Sequence, residues 1–353
     1  MRVVVVGASG NTGTAVLRRL ARADEVSAVS GVARRVPAGT VRAPYDVADW
    51  HGIDIGGPDA VASLTDVFAG AGVVIHLAWQ IQPSHDRAAL RRTNVAGTRQ
   101  VAEAAVRASV PALVVASSVG AYAPAPKSER VSEQWPVSGV PGSTYSRDKA
   151  DQEAVLDEVV RDTPDLRVVR LRPGLIFQRS AAAEVARYFI GPFAPLRLLR
   201  MGWLPAVPSH DRLRVQAVHA DDVADAYVRA ALSDVRGAFN IAADPVLDAT
   251  AIAGLYRGRP VPVPLSVLRL AAKLTWHGRV QPTEPGWIRL AAGAPLMSTE
   301  RARKELGWQP RTDALDALAE LLDGMAHGSG AATPPLRPRG LVDLRVPGHG
   351  NPY

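Results

Sequence analysis

The first thirteen residues constrain the fold more than any other part of the chain. They read MRVVVVGASGNTG, a run of four valines followed at once by Gly7, Gly10 and Gly13. A short apolar run that ends in spaced glycines is typical of a buried strand turning into a helix. In such a turn one glycine makes the bend, one lets the backbone approach a pyrophosphate, and one lets the helix pack on the strand. The stretch therefore predicts a dinucleotide-binding turn, with a glycine-rich turn that binds nothing as the alternative.

The helix after this turn would present free backbone N–H groups at its N-terminus, which favours an anionic ligand. The polar residues of the same turn are therefore candidates for cofactor binding, namely Ser9, Asn11 and Thr12.

The rest of the first half alternates apolar runs with amphipathic stretches. Strands are predicted at residues 3–6, 27–32, 73–77, 113–116 and 166–171, and helices at 11–23, 87–108 and 148–161. Short buried strands that alternate with helices indicate an α/β fold with a doubly wound parallel sheet of the Rossmann type.

The pattern changes along the chain and predicts a division into regions. Residues 1–177, with 213–245 returning to them, form the predicted dinucleotide-binding domain. Residues 178–212 and 246–326 are predicted to form a smaller, mostly helical substrate-binding region. Residues 327–353 are rich in Gly and Pro, which predicts a flexible tail.

Composition excludes several classes of function. The chain has no Cys, so it has no disulfide and no thiolate chemistry. Its eight His residues show no metal-ligand spacing, so no metal site is predicted. The net charge of +7 comes from scattered Arg rather than from a basic patch, which argues against a nucleic-acid partner. The N-terminus resembles a strand and not a signal peptide, and the apolar stretch near residue 265 is interrupted by Arg269 and Lys273. We therefore expect a cytoplasmic protein with no membrane partner.

The stretch TYSRDKADQE places Tyr145 and Lys149 four residues apart, on one face of a predicted helix. A phenol with a pKa of about 10 must lose roughly 3 pKa units, or about 4 kcal/mol, to exchange a proton near neutral pH. A cation about 4 Å away supplies about 4 kcal/mol at an effective dielectric constant near 20. Taken alone, the pair is more typical of an ordinary exposed contact. Upstream, however, the apolar run LVVASS ends in Ser118, whose hydroxyl could hold a carbonyl oxygen beside the tyrosine proton.

Together with the glycine turn, this set resembles the extended short-chain dehydrogenase/reductase superfamily, often called the NAD-dependent epimerase/dehydratase family. Further stretches resemble motifs of that family: HLAW at 76–79, NVAGT at 94–98, RLRPGLIF at 170–177, VHADDVADA at 218–226 and ERARKELGWQP at 300–310. The resemblance covers about residues 1–325.

The resemblance implies a catalytic set. Tyr145 would be the acid/base, and Lys149 would lower its pKa and bind the cofactor's ribose. The catalytic serine of the family lies four residues before an aromatic tyrosine, which selects Ser118 over Ser117. Asn94 would be the fourth member of this set, connected to the other three through water or the backbone.

The resemblance also implies cofactor contacts beyond the glycine turn. Asp54 and Ile55 resemble the pair that contacts adenine, with Asp46 as a rival. Four further residues would line the cofactor: Leu77 and Ala78 through their backbone, and Pro173 and Ile176 beside the nicotinamide.

The end of the second strand sets the choice between NADP(H) and NAD(H) in this fold. The residues there include Arg34 and Arg35, and none from 26 to 42 is acidic. An Arg can fork onto a 2′-phosphate with charge-assisted bonds of about 1.5–3 kcal/mol each. We therefore expect NADP(H) to be preferred, with NAD(H) possible.

The residues and the resemblance together favour an NAD(P)-dependent oxidoreductase that transfers hydride between nicotinamide and a carbonyl or alcohol carbon. A sugar-nucleotide epimerase that retains its cofactor and a catalytically silent NAD(P)-binding regulator are the alternatives. The stretch QRSAAAEVARYF contains no Asn of the kind that indicates a sugar-nucleotide pocket. This absence favours the oxidoreductase over the epimerase. Val119 and Gly120 stand where the dehydratases of the family carry Asp and Glu, so no 4,6-dehydratase activity is expected.

The expected partner is a small carbonyl, alcohol or sugar-derived substrate. Candidate substrate contacts follow the fourth strand and are Trp79, Gln82 and His85, where Trp79 either narrows the pocket or fills core. A homodimer is expected through the helices at 87–108 and 148–161, as family members commonly pair two long helices.

Overall fold

The computed structural model describes residues 1–37, 41–82, 84–190, 199, 206–278 and 284–338. Within these residues the strands are β1 (Arg2–Val6), β2 (Ala28–Ala33), β3 (Ala48–Gly52), β4 (Val73–His76), β5 (Ala112–Ala116), β6 (Arg130–Val131), β7 (Arg167–Pro173), β8 (Leu175–Phe177), β9 (Ala206–Ser209), β10 (Val215–His219), β11 (Gly237–Ile241), β12 (Ala243–Leu247), β13 (Arg259–Pro262) and β14 (Leu296–Met297). The α-helices bounded within the same residues are α1 (Asn11–Leu20), α2 (Ala60–Phe68), α3 (Arg87–Arg91), α4 (Gly97–Arg107), α5 (Thr144–Asp162), α6 (Ala182–Val185), α7 (Ala220–Leu232), α8 (Ala249–Leu255), α9 (Leu265–His277), α10 (Pro285–Gly293), α11 (Glu300–Glu305) and α12 (Ala314–His327).

Seven strands form one sheet in the order β11-β7-β5-β4-β1-β2-β3, and every neighbouring pair is parallel. The chain leaves β1 first toward β2 and β3, and then crosses to β4 and beyond. This reversal places the switch point between β1 and β4, where open α/β sheets bind ligands outside the carboxyl ends of their strands. The predicted doubly wound α/β fold is confirmed.

Alternating valines of β1 contribute to both faces of the sheet. Val3 and Val5 belong to the core on one face, which includes residues of α1 and α7. Val4 and Val6 belong to the core on the other face, which includes residues of α2 and α4. All four valines are fully buried, as the two-residue period of a strand covered on both sides requires.

The five predicted strands correspond to β1, β2, β4, β5 and β7 within two residues. β3 was not predicted from the sequence, because its residues ADWHG are only partly buried and contain no apolar run. The helix predicted at 11–23 ends at Leu20, and the helix predicted at 148–161 begins earlier, at Thr144. Ser143 caps that earlier start by accepting a hydrogen bond from the Ser146 backbone N–H.

The predicted helix at 87–108 is not continuous. It consists of α3, a π-helical turn at Arg92–Ala96, and α4. A π-turn inserts one residue into the helical repeat, and such turns are frequent at functional sites. Here the turn carries Asn94, which is buried.

Besides the seven-stranded sheet, the described residues form three smaller sheets. The smaller sheets are β12-β10-β8, β13-β9 and β14-β6. Of the region predicted at 178–212, residues 191–198 and 200–205 lie outside the described residues, as do 339–353 of the predicted tail. Within the described part of that tail, Thr333 and Leu336 are fully buried. The division into regions and the homodimer stay predictions.

In the described part of the chain, no helix has the length and apolar character needed to cross a membrane.

Candidate active site

The glycine turn after β1 has the geometry that a dinucleotide requires. Gly7 has φ +91°, and a Cβ there would lie 2.5 Å from the backbone N of Ala78. A Cβ on Gly13 would lie 2.4 Å from the Gly7 carbonyl oxygen. Helix α1 can therefore pack this closely against the turn after β1 only because residue 13 is glycine. Gly10 is at the N-cap of α1 and has no side-chain cap, and a Cβ there would make only an ordinary contact of 3.6 Å with the Gly7 carbonyl oxygen. The first N–H groups of α1 are therefore accessible to an anionic group, and the turn fits a pyrophosphate.

The polar residues of the turn differ in their surroundings. Ser9 is buried and Thr12 is half-buried. Asn11 is bound to the end of β8: its Nδ2 donates to the Ile176 carbonyl oxygen over 3.3 Å, and Gln178 Nε2 donates to its backbone oxygen over 2.9 Å. Gln178 was not predicted, although it directly follows the RLRPGLIF motif.

Arg34 and Arg35 follow β2 and are exposed at the same edge of the sheet. Burial and the charge of Arg34 are the two largest causes that lower the pKa of Arg35, and Arg187 and Arg337 lower it further. Three guanidinium groups therefore lie close enough to Arg35 for their charges to act on it. We call Arg34, Arg35, Arg187 and Arg337 the arginine cluster.

The predicted adenine contacts follow β3, next to the end of β2. Ile55 is buried, and Asp54 Oδ1 accepts from the Gly56 backbone N–H over 3.1 Å. Asp54 also lies 3.9 Å from a guanidinium nitrogen of Arg92. The rival, Asp46, lies in a 3₁₀ turn before β3 and is exposed.

The remaining predicted cofactor contacts lie at the carboxyl ends of β4 and β7 and in β8. Leu77 follows β4 and donates its backbone N–H to the Val6 oxygen over 2.7 Å, and Ala78 lies against Gly7. Pro173 is the last residue of β7 and is buried, and Ile176 lies in β8.

Ser118 and Tyr145 are brought together at the end of β5 and the start of α5. Both side chains lie against Gly120, where an added Cβ would be 2.8 Å from Tyr145 Cε1 and 3.4 Å from Ser118 Oγ, and Ser118 Oγ accepts from the Gly120 N–H over 3.0 Å. The spacing in the sequence predicts that Lys149 lowers the pKa of Tyr145. In the structure burial instead raises that pKa to about 12, because a phenolate would lose its hydration, and the Ser118 hydrogen bond offsets only part of this.

Lys149 is buried one turn further along α5. Its Nζ donates to the Ala116 carbonyl oxygen over 2.7 Å and to Gln152 Oε1 over 3.1 Å, and it lies 3.5 Å from the centre of the Trp79 ring. Burial lowers the pKa of Lys149 well below its usual range, and the charge of Glu153 offsets this in part. The ammonium group is thus held by two oxygens and an aromatic face beside the tyrosine.

Asn94 holds the loop after β4. Its Oδ1 accepts from the Gln80 backbone N–H over 2.7 Å, and its Nδ2 donates to the Gln80 carbonyl oxygen over 3.0 Å. Both ends of the amide are therefore paired with one residue, which positions the neighbouring Trp79.

The predicted substrate residues separate into two groups. Trp79 lies edge-on to Tyr145 with ring centres 6.0 Å apart, and its Nε1 has no hydrogen-bond partner among the described residues. Gln82 is half-buried in the same loop. His85 is exposed and stacks on Trp276 of α9 at 4.4 Å.

A buried ionic network lies beneath the site and was not predicted. Arg172 donates to Glu153 through Nε over 2.8 Å and Nη2 over 3.0 Å, and Arg170 Nη1 donates to the same carboxylate over 2.9 Å. Ser117 Oγ donates to Glu153 Oε1 over 2.5 Å. The network ties α5 to β5 and β7, and thereby positions Tyr145 and Lys149. The sequence feature that could have indicated this network is the pair Arg170 and Arg172 within the otherwise apolar run RLRP.

Two aromatic residues beside Tyr145 were also missed. The Trp287 ring, on α10, lies 4.9 Å from the Tyr145 ring, and Phe189 lies edge-on to Trp287 at 4.9 Å. No sequence spacing relates these residues to Tyr145, because separate parts of the chain supply them.

Among the described residues, no group of three His, Asp or Glu side chains is close enough to hold a metal ion.

Comparisons with known proteins identify the family of the chain. The model of the NAD dependent epimerase/dehydratase family matches residues 3–242. An uncharacterized protein of Mycobacterium tuberculosis is 28% identical over 330 residues, which covers 91% of this chain and 83% of that protein. An L-arabinose 1-dehydrogenase (NAD(P)(+)) of Haloferax volcanii is 30% identical over 204 residues, covering 53% of this chain and 74% of the relative.

Solved structures share the fold. A UDP-glucose 4-epimerase of Thermotoga maritima matches with a TM-score of 0.70 at 19% identity, and covers 93% of this chain and 99% of that one. A dTDP-glucose 4,6-dehydratase of Streptomyces venezuelae matches with a TM-score of 0.67 at 20% identity, covering 93% of this chain and 97% of that chain. The family match spans most of the sheet domain described above, and the chain belongs to the NAD dependent epimerase/dehydratase family.

Proposed function

We propose that this protein is an NADP(H)-preferring oxidoreductase that interconverts a carbonyl and an alcohol, with Tyr145 as the acid/base. The observation that carries the proposal is the position of Ser118 beside Tyr145, both against Gly120, at the carboxyl edge of the sheet and beside the glycine turn. Two relatives named as dehydrogenases, for L-arabinose and for glucose-6-phosphate, support an oxidoreductase.

The residues that would hold the cofactor form a path along the strand ends, from the arginine cluster through the glycine turn to Pro173 and Lys149. When bound, NADP(H) supplies or accepts the hydride. The absence of a side chain at Gly10 and the uncapped N-terminus of α1 fit its pyrophosphate.

In the reductive direction Ser118 donates a hydrogen bond to the carbonyl oxygen and so polarises the bond. Tyr145 then delivers its proton to the same oxygen. A pKa near 12 keeps the phenol protonated at neutral pH, which suits this acid role. Asn94 and the Glu153 network act as positioning residues.

The proposal is tested by offering ketones, aldehydes and alcohols with NADPH or NADP⁺, and by following deuterium from labelled NADPH into the product. We expect one NADPH to be consumed for each alcohol formed. An epimerase would invert its substrate without net consumption of NADPH, and a silent regulator would bind NADPH without any product. Either outcome contradicts the proposal.

The control variant is Tyr145→Phe, which keeps the ring and removes the proton. It should bind NADPH as the wild type does, and turnover should fall at least ~100-fold, the scale of a lost acid/base group. A variant that keeps more than half of the wild-type rate would remove Tyr145 from the mechanism.

A further inference from the structure

An apolar cavity lies in the part of the chain predicted to bind substrate. Its volume is about 380 Å³, it is partly open to solvent, and it is lined by residues of β9, β12, α8, α9 and α10 together with the segment around β10. Every described residue that lines it is apolar or aromatic, among them Val207, Leu247, Leu268 and Ile288. Its size lies within the range of sites for small organic ligands.

The cavity adjoins the reactive tyrosine through one residue. Trp287 lines the cavity, and its ring lies 4.9 Å from the ring of Tyr145. Val140 and Leu290 pack in the same cluster as Tyr145 and Trp287, and Trp79 covers another side of the phenol. A molecule whose oxygen reaches Ser118 and Tyr145 would therefore meet apolar surface as it extends toward the cavity.

One buried cation near this cavity is committed to other partners. Lys127 is buried, and its Nζ donates to the backbone oxygens of Arg214, Ala291 and Ala294. These three bonds use all three N–H donors of an ammonium group. Arg289 of α10 lies against Gly142, at the loop that leads into α5. The described lining thus offers no charge to a pyrophosphate and few donors to sugar hydroxyls, whose burial without partners costs free energy.

We infer that the substrate carries an apolar portion, a hydrocarbon chain or ring, next to its carbonyl or carbinol carbon, and that this portion occupies the cavity. The inference rests on the proposed oxidoreductase function and names the substrate class of the same site. Sugar nucleotides are the contrasting class.

The test uses the methyl ketones 2-butanone, 2-hexanone, 2-octanone and 2-decanone with the full chain. Binding is measured by calorimetry in the presence of NADP⁺, and turnover is measured separately with NADPH. Affinity should rise about fourfold per added methylene, which corresponds to about 0.8 kcal/mol each, until the cavity is full. UDP-glucose serves as the polar competitor and should bind more weakly than 2-octanone.

Matched variants on α9 locate the binding. Leu268→Glu places a carboxylate in the cavity and should weaken 2-octanone binding at least tenfold, with NADPH affinity unchanged. Val267→Glu is the control, because Val267 is 52% exposed on the same helix, and it should change neither. Ala291→Leu fills the cavity without adding a charge, and it should reduce the increase in binding affinity with ketone chain length. This variant keeps the test decisive even if Leu268→Glu fails to fold.

The outcomes separate this inference from the proposed function. If the ketones bind with the expected chain-length gain but are not reduced, the substrate class stands and the proposed reaction fails. If short and long ketones are turned over equally well, or if UDP-glucose binds more tightly than 2-octanone, the reaction can stand and the inference is overturned.

Discussion

A Cβ built on Gly120 would lie 2.8 Å from Cε1 of Tyr145, so the phenol ring rests directly on a glycine. Gly120 lies in the 3₁₀ turn Val119–Ala121, which follows Ser118, and its N–H donates to Ser118 Oγ over 3.0 Å. One glycine therefore sets the separation between the serine that would polarise a carbonyl and the tyrosine that would protonate it.

We predict that Gly120→Ala lowers kcat at least ~10-fold, because the added methyl group must displace the Tyr145 ring from Ser118. The matched control is Gly254→Ala, where a Cβ meets nothing within 4 Å. That control should keep full activity. Steady-state kinetics, with circular dichroism to confirm the fold, decides the outcome. An active Gly120→Ala enzyme would show that the tyrosine does not depend on this contact.

The same contact predicts that the enzyme is not a 4,6-dehydratase. An acidic side chain at Gly120 would collide with Tyr145, and Val119 has no proton to transfer. Incubation with dTDP-glucose, NAD⁺ and enzyme should therefore yield no 4-keto-6-deoxy sugar by mass spectrometry. Appearance of that product would overturn the assignment of these two positions.

The raised pKa of Tyr145 predicts a pH dependence that differs between the two directions. Alcohol oxidation needs the phenolate, and below a pKa of about 12 its fraction grows with pH. We expect the rate of oxidation to rise throughout about pH 7–10, whereas carbonyl reduction, which uses the protonated phenol, should change little. Profiles of kcat/KM in both directions measure this. A plateau of oxidation below about pH 9 would mean that the working pKa is lower than burial alone dictates.

The Glu153 network predicts a large contribution to stability. Burial acts to raise the pKa of Glu153, but hydrogen bonds and charge from Arg172, with Arg170 and Ser117, outweigh it and lower the pKa to about 2. Because the folded-state pKa is depressed, this stabilisation is fully present above the usual pKa of about 4.5, and is lost as pH falls toward 2. Glu153→Gln leaves buried Arg172 uncompensated and should cost about 3–5 kcal/mol of unfolding free energy at pH 7.

Urea denaturation at pH 7 and pH 3 measures that loss, and the difference from wild type should narrow at pH 3. Glu158→Gln is the control on the same helix. Glu158 pairs with Arg99 at the surface, where an ion pair contributes about 0–1 kcal/mol. Equal losses from the two substitutions would contradict the role of the buried network.

Local patterns predicted the parts of the molecule in which one segment determines its own structure. The valine run, the glycine turn and the spacing of Tyr145 and Lys149 are of this kind, and the structure places them at one edge of the sheet. The π-turn at Asn94 was not predicted, and the Asn94 side chain pairs there with Gln80 of another segment, a contact that local sequence does not indicate. The aromatic contact of Trp287 with Tyr145 likewise depends on tertiary packing.

The pKa of Tyr145 is raised rather than lowered as predicted, and the reason is related. Residue spacing gives the distance between two charges, but it does not give the solvent that each one loses. In the folded chain Lys149 donates to Ala116 and Gln152, and burial dominates the pKa of the phenol. The sequence supplied the participants in the site, and packing decided their electrostatics.

The arginine cluster predicts that the protein binds NADPH more tightly than NADH. Arg34 and Arg35 follow β2, and burial together with the charge of Arg34 and of the other cluster arginines lowers the pKa of Arg35. A 2′-phosphate placed among these cations would relieve their repulsion and accept charge-assisted bonds of about 1.5–3 kcal/mol each. Loss of one such bond corresponds to roughly tenfold or more in affinity.

Fluorescence titrations of NADPH and NADH with wild type, Arg34→Ala and Arg35→Ala test this. Each substitution should weaken NADPH binding about tenfold and leave NADH binding nearly unchanged, since NADH has no phosphate at that position. Arg22→Ala, an exposed arginine after α1, is the control for a loss of charge alone. Added salt should weaken NADPH binding in the wild type more than in either cluster variant, because screening acts on the charges that those variants lack. NADH binding as tight as NADPH in the wild type, or unchanged NADPH affinity in both variants, would show that the end of β2 does not select the cofactor.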